Sequence, residues 1–188
     1  MSLKDLTWEH HKEAERQQFV KVLMSGNINP ELYATYLWNQ HKRYDLLEAI
    51  ATPLGLIDQD LFAIRRKDRI EKDFLELWKK DQPPKIVKAT EEYIMHMKTI
   101  MADPEKVMAH LYVLHMGDLS GGQMIKRKVP GEGRMYQFDK DKNELKESIR
   151  AKIHDGMAEE AKFVFSNSTD LFKNIMELDI EHYMEPVS

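Results

Sequence analysis

Cysteine is absent from all 188 residues. Its absence excludes disulfides, thiolate metal sites, iron–sulfur clusters and cysteine nucleophiles. Long apolar runs are missing too: none approaches the ~20 residues that a membrane-spanning helix needs. The first nine residues, Met1 to Glu9, are polar and lack the apolar region of a signal peptide. The last four, Glu185-Pro186-Val187-Ser188, form no hydrophobic tail. A soluble, cytoplasmic protein without a membrane partner is therefore expected. Positive charge is not in excess. The formal net charge of −4 gives no support for nucleic-acid binding. The basic runs Arg65-Arg66-Lys67 and Lys126-Arg127-Lys128 read as solvated faces, and either could dock an acidic partner.

Strand-like alternation is also lacking. What the chain has instead is helical spacing: Ile86, Tyr93, Met97, Ile100 and Met101, then Ile70, Phe74, Leu77 and Trp78, then Val107, Leu111 and Leu114. Breaks are marked by Gly26-Asn27, Pro53-Leu54-Gly55, Pro83-Pro84 and Pro130-Gly131-Glu132-Gly133. Helices are predicted near 4–24, 30–51, 59–79, 85–101, 104–128, 140–155 and 157–182, the last broken near Asn167. The expected architecture is all-α, a single domain over residues 1–188 with about seven to eight packed helices.

Glycine is scarce, and its placement is the strongest signal. Three of the eight glycines, Gly117, Gly121 and Gly122, fall within six residues inside the predicted helix 104–128. Each costs about 1 kcal/mol relative to alanine in a helix. Around the lone Asp118, such a cluster suggests a backbone that must approach something flat. The alternative is a close helix–helix crossing. Leu119-Ser120-Gly121-Gly122-Gln123 also matches the signature of ABC-type ATPases, but Gln123-Met124 stands where a phosphate-binding loop needs Lys and Ser or Thr.

A second signal lies in Trp8-Glu9-His10-His11-Lys12-Glu13-Ala14-Glu15. A ligating imidazole needs an acceptor for its other N–H. On a helix, Glu15 at i+4 can supply it to His11, with Lys4 nearly two turns earlier on the same side. His10 is the competing histidine. Paired Glu-x-x-His motifs of di-iron bundles are absent, the nearest pattern being Asp179-x-x-His182. Ser120 lacks a triad pattern. His11 and Asp118 together suggest a flat iron macrocycle held between two helices. Its carboxylates would require cations at the rim, for which Lys4 and the i, i+4 pair Lys146 and Arg150 are candidates.

The chain resembles the haem oxygenase family. Ala109-His110-x-Tyr112 followed by Gly117 to Gln123 is similar to the helix over the distal haem face. His11-x-x-Ala14-Glu15 resembles the proximal-histidine motif. Glu159-Glu160-Ala161-Lys162 with Phe165 and Phe172 resembles the late helix that walls the haem. Three departures stand out: Leu114 where many members carry arginine, His115 where many carry tyrosine, and His41, which is read as replacing a distal-pocket tyrosine.

The resemblance implies a function and a set of roles. Haem would be both cofactor and substrate, cleaved with O2 and external electrons at a meso carbon to biliverdin, CO and ferrous iron. His11 would ligate the iron and Glu15 would set its tautomer. Asp118 would hold the water that delivers a proton. Gly117, Gly121 and Gly122 would crowd the ligand. Tyr112, Phe165 and Phe172 would line the haem, and Lys4, Lys146 and Arg150 would bind its propionates. Ferredoxin is the implied electron donor, docking at Lys126, Arg127 and Lys128, with a bilin reductase downstream. Two other readings compete: a haem carrier or sensor, and a non-haem enzyme on the same helical architecture.

Overall fold

The computed structural model describes the backbone of residues 1–182 and the side chains of residues 1–178. Asp179 and His182, the Glu-x-x-His-like pair, lie outside the described side chains. The α-helices are α1 (Leu3–Leu6), α2 (Trp8–Glu15), α3 (Gln18–Met24), α4 (Pro30–Ala51), α5 (Lys67–Leu77), α6 (Lys88–Ile100), α7 (Pro104–Leu119), α8 (Gly121–Ile125), α9 (Lys142–Arg150) and α10 (Ala158–His182). Short 3₁₀ turns occupy Phe62–Ile64, Arg134–Tyr136 and Asp155–Met157. No strand occurs among the described residues. The fold is all-α, as the spacing predicts.

Two helices run through the middle, and both start at a strong local signal. Asn29 caps α4, its Oδ1 accepting from the Glu31 and Leu32 amides, with Pro30 at the first helical position. Asp103 and Pro104 do the same for α7. Both helices are buried around most of their circumference: α4 through Leu32, Tyr33, Leu37, Tyr44 and Leu47, α7 through Val107, Leu111, Tyr112 and Leu119. Helix α5 is amphipathic and lies on α4, while α6 packs on the other helices through Tyr93 and Met97. Helix α10 packs against α2, α3, α6 and α7, and so ties the N-terminal helices to the centre.

Buried polar side chains fix how the helices meet. Asn39 on α4 donates to the Thr35 and Lys85 carbonyls and accepts from the Val87 amide and the Thr90 hydroxyl. Three of these four bonds hold the start of α6 and the segment leading into it, and the fourth returns to α4 itself. Asp73 accepts from the Arg134 and Met135 amides, and Glu48 accepts from the Arg66 and Lys67 amides.

Five predicted spans differ from the structure, among them 140–155, whose helix α9 ends at Arg150. The span 4–24 is three helices. Thr7 (φ −108°, ψ 4°) interrupts it, its hydroxyl bonded back to the Leu3 carbonyl, and extended Gln17 (ψ 143°) interrupts it again. Lys4 and His11 therefore do not share one helix. Span 59–79 shortens to α5 with a 3₁₀ turn before it. Span 104–128 breaks at Ser120 (φ −114°, ψ −91°). The break leaves the Asp118 carbonyl without a helical partner, and the Gln123 side chain donates to it through Nε2 at 3.0 Å. Helix α10 runs unbroken through Asn167, whose side chain donates across to the Ala89 carbonyl at 2.8 Å rather than competing for its own backbone.

Candidate active site

Asp118 sits in the last turn of α7 and is 6% exposed. The Tyr44 hydroxyl, from α4, donates to its Oδ2 at 2.6 Å. Burial pushes the Asp118 carboxyl up to about 7, opposed by the Tyr44 bond and by the charges of Arg66 and Arg43. Burial also raises the Tyr44 phenol well above its usual range, so Tyr44 keeps its proton and acts as donor. His115, one turn before Asp118, stacks on Tyr44 with ring centroids 5.4 Å apart. Its Nδ1 lies 3.6 Å from Asp118 Oδ2, beyond hydrogen-bond reach, and neither ring nitrogen has a protein partner. Burial, reinforced by the Arg66 charge, lowers His115 to about 3. It is a neutral imidazole at physiological pH.

The three glycines separate into two kinds. A Cβ placed on Gly117 or Gly121 meets nothing within 4 Å, so these positions border open space. A Cβ on Gly122 would lie 2.6 Å from Tyr136 Cδ1 and 2.9 Å from Cε1. Gly122 therefore makes room for the Tyr136 ring, unlike Gly117 and Gly121. Gly122→Ala should destabilise the ligand-free fold by about 1–3 kcal/mol, because the buried Tyr136 ring must shift. Gly117→Ala and Gly121→Ala should leave it unchanged or slightly raised in stability. Thermal unfolding of the three variants checks this.

His11 on α2 makes a 2.7 Å contact through Nε2 with Glu15 Oε1, one helical turn on. Its ring stacks on Phe165 of α10 at 5.3 Å and meets the Trp8 ring edge-on at 5.5 Å. The side chain keeps 37% of its exposure. One nitrogen is thus held by a carboxylate and the imidazole is accessible. Turning the ring over about χ2 exchanges which nitrogen Glu15 holds. Phe172, two turns beyond Phe165, packs on Phe19 and Tyr36 at 5.9 and 6.3 Å. Because α10 packs on both α2 and α7, the His11 and Asp118 helices share one support.

The family model described as Heme oxygenase matches residues 1–178 of this chain. The chain belongs to the haem oxygenase family. It is 32% identical to heme oxygenase 2 of Macaca fascicularis over 92% of its own length, and spans 64% of that relative. Heme oxygenase 2 of Synechocystis is 27% identical, with 92% of this chain and 80% of the relative covered. Among solved structures, heme oxygenase from Leptospira interrogans superimposes with a TM-score of 0.76 at 28% identity, covering 92% of this chain and 98% of that one. Heme oxygenase-1 from Synechocystis, solved in complex with heme, has a TM-score of 0.83 at 24% identity, covering 96% and 93%; it carries the fold comparison alone.

Within this member of the haem oxygenase family, several site assignments change. His41 does not stand in for a tyrosine near Asp118. It stacks on Trp38 at 5.9 Å, its electrostatic neighbours are Lys42, Asp45, Glu71 and Lys67, and its ring nitrogens have no protein partners. The tyrosine on Asp118 is Tyr44, three residues further along α4. Arg66 is not part of a solvated basic face. It is 1% exposed, its guanidinium donating to the carbonyls of Ala63, Ile64, Met135 and Gln137. Arg43, also 1% exposed, bonds Gln40 at 2.7 Å and Ser168 at 3.1 Å.

Tyr44, Arg43 and Arg66 were missed because their partners are distant in sequence. The available signal was an adjacent arginine and tyrosine, Arg43 and Tyr44, inside a helix that is buried around most of its circumference. Of the proposed rim cations, Lys4 is exposed on α1, and Arg150 pairs with Glu147 at 2.5 Å. Burial raises the phenol pKa of Tyr112, on α7, and the nearby Arg150 charge opposes that rise. No helix among the described residues is long and apolar enough to cross a membrane.

Proposed function

We propose that this single-domain protein is a haem oxygenase that binds haem between His11 and Asp118 and opens the macrocycle at a meso carbon. The observation that carries the reading is a buried carboxyl, Asp118, bonded by Tyr44 and flanked by two glycines that border open space, on a helix sharing its support with a Glu15-held imidazole. The side chains fit the group: an accessible imidazole, an aromatic wall and a backbone without side-chain obstruction. Haem bound there supplies the redox-active iron at which O2 is reduced, with electrons from outside the protein.

The chain's own residues do the rest. Glu15 orients His11 and fixes its tautomer, the role of an outer partner to a ligating histidine. Asp118 titrates near neutrality, so it can both hold and release a proton at the operating pH. Tyr44 occupies Oδ2, which leaves Oδ1 as the atom for that proton. Gly117 and Gly121 allow a flat ligand to lie against α7 and α8. Phe165, Phe172 and Tyr112 wall it, and Lys4, Lys146 and Arg150 take the propionates and so fix its rotation. A ferredoxin docking at Lys126, Arg127 and Lys128 is the proposed donor. Biliverdin, CO and ferrous iron are the products, the first passing to a bilin reductase. The protein works in the cytoplasm, away from nucleic acid and membrane.

Haem titration followed by aerobic reduction with ascorbate or reduced ferredoxin tests the reading, the tetrapyrrole product being identified by chromatography. A Soret band that appears and then gives way to biliverdin supports it. No Soret band indicates a non-haem activity on this fold, and a band that survives reduction indicates a carrier. His11→Ala should leave an open iron coordination position that added imidazole refills. If His10→Ala does this instead, the ligand assignment moves by one residue.

A further inference from the structure

Helices α6, α7 and α10 meet at a second cluster of ligating side chains. Glu160 Oε1 lies 2.5 Å from His96 Nε2 and 2.8 Å from His110 Nε2. The three ligand atoms fall within 4.8 Å of one another. The haem reading uses none of these three side chains. One carboxylate oxygen can accept from both imidazoles. The same three atoms, two Nε2 and one carboxylate oxygen from three helices, are also a ligand set that can close on a metal ion.

We infer that His96, His110 and Glu160 form a binding site for one divalent transition-metal ion. Two imidazole nitrogens and one carboxylate oxygen are borderline ligands that suit Zn²⁺ and Fe²⁺ and leave positions for water. The surroundings match what such a site needs. His110 has no exposure, and its Nδ1 is 3.0 Å from the Tyr93 hydroxyl, so the nitrogen turned away from the ion has an outer partner. His96 lies flat on Phe163 with centroids 3.7 Å apart. Its side chain is 24% exposed and that of Glu160 13%, which gives an ion a route in.

An ion about 2.0–2.2 Å from each ligand atom at tetrahedral angles would set them roughly 3.3–3.6 Å apart. A separation near the 4.8 Å limit must then close by about an ångström, while the two short contacts to Glu160 Oε1 lengthen by about half an ångström or more as the carboxylate draws back and the partly exposed His96 ring turns. Each imidazole shifts its proton from Nε2 to Nδ1 and gives its Nε2 lone pair to the ion. On His110 that proton then faces Tyr93. The ion replaces two hydrogen bonds and joins three helices, one of which, α7, carries Asp118.

The test is titration of the full haem-free chain with Zn²⁺ against a chromophoric chelator, and with Co²⁺ followed by its ligand-field absorption. One ion should bind per chain. At a hundredfold excess over Kd the melting temperature should rise by roughly 5–10 °C. His96→Ala is the safer variant for folding, and Glu160→Gln keeps the shape of the carboxylate. Each should weaken binding by at least about tenfold to a hundredfold, as loss of a ligand or its support does. Both should retain the Soret band on haem addition. His11→Ala removes a different imidazole–carboxylate pair and should leave the Zn²⁺ affinity unchanged. Equal affinity in wild type, His96→Ala and Glu160→Gln would overturn the site, as would the absence of any binding below millimolar Zn²⁺. Neither result depends on whether haem is degraded.

Discussion

Asp118→Ala is expected to lower the rate of biliverdin formation by about 10²–10⁴-fold, the range for loss of a positioned proton donor, with the Soret band retained. The geometry dictates the separation of the two effects. Asp118 is buried at the end of α7 and bonded to Tyr44, while the iron ligand proposed here, His11, is on α2. Asp118→Asn keeps the Tyr44 bond but has no titratable proton, so it should be nearly as slow.

The asparagine variant also has a readout in the haem-free protein. Burial holds the Asp118 pKa at about 7, above its value in the unfolded chain. Between those two values the folded state binds the extra proton, so this group makes stability fall as pH rises. The cost is complete above the folded pKa and absent below the unfolded one. Asp118→Asn removes it and should stabilise the fold by on the order of 2–4 kcal/mol at pH 8.5, with little change at pH 4. Urea unfolding at the two pH values checks the sign. Equal turnover by Asp118→Asn and wild type would remove the carboxyl from proton delivery, whatever the stability result.

His115→Phe is expected to make the protein markedly more resistant to acid. His115 is fully buried with both ring nitrogens lacking protein partners, and its pKa is lowered to about 3. In the unfolded chain it takes up a proton as pH falls below the ordinary histidine value. The folded chain binds fewer protons across that window, so stability declines with falling pH until the folded pKa is reached. At pH 4.5 the charge on the unfolded side corresponds to roughly 2–3 kcal/mol against folding. Phenylalanine removes that penalty and the desolvation cost of two unpaired nitrogens, the latter about 1–3 kcal/mol per group. The stabilisation should therefore be present at pH 7.5 and larger at pH 4.5. A difference that does not change with pH would mean that His115 is not kept neutral by burial.

His115 also illustrates how much of the site was legible. Its identity, and its departure from the tyrosine common in the family, could be read directly. That it stacks on Tyr44 and lies beside Asp118 without bonding it could not. His11 and Glu15 were legible because their relation is local: i and i+4 on one helix face each other whatever the rest of the chain does. The caps of α4 and α7 were legible for the same reason, Asn29-Pro30 and Asp103-Pro104 acting over two or three residues. Lys4 shows where a local argument fails. Its expected alignment with His11 assumed a continuous helix, and Thr7 back-bonding to Leu3 ends that helix after one turn.

The amino-acid sequence alone determined the helical class, the central helix starts, the held imidazole and the clustering of glycines around Asp118. These depend on backbone propensity and on contacts within a turn or two. The tertiary structure alone decided that Tyr44 and not His41 bonds Asp118, that Arg66 is buried and not solvated, and that Gly122 makes room for Tyr136 while Gly117 and Gly121 face open space. Each of those outcomes joins residues far apart in the chain. Which of them meet is set by how whole helices pack, and burial then sets the charge that each can carry.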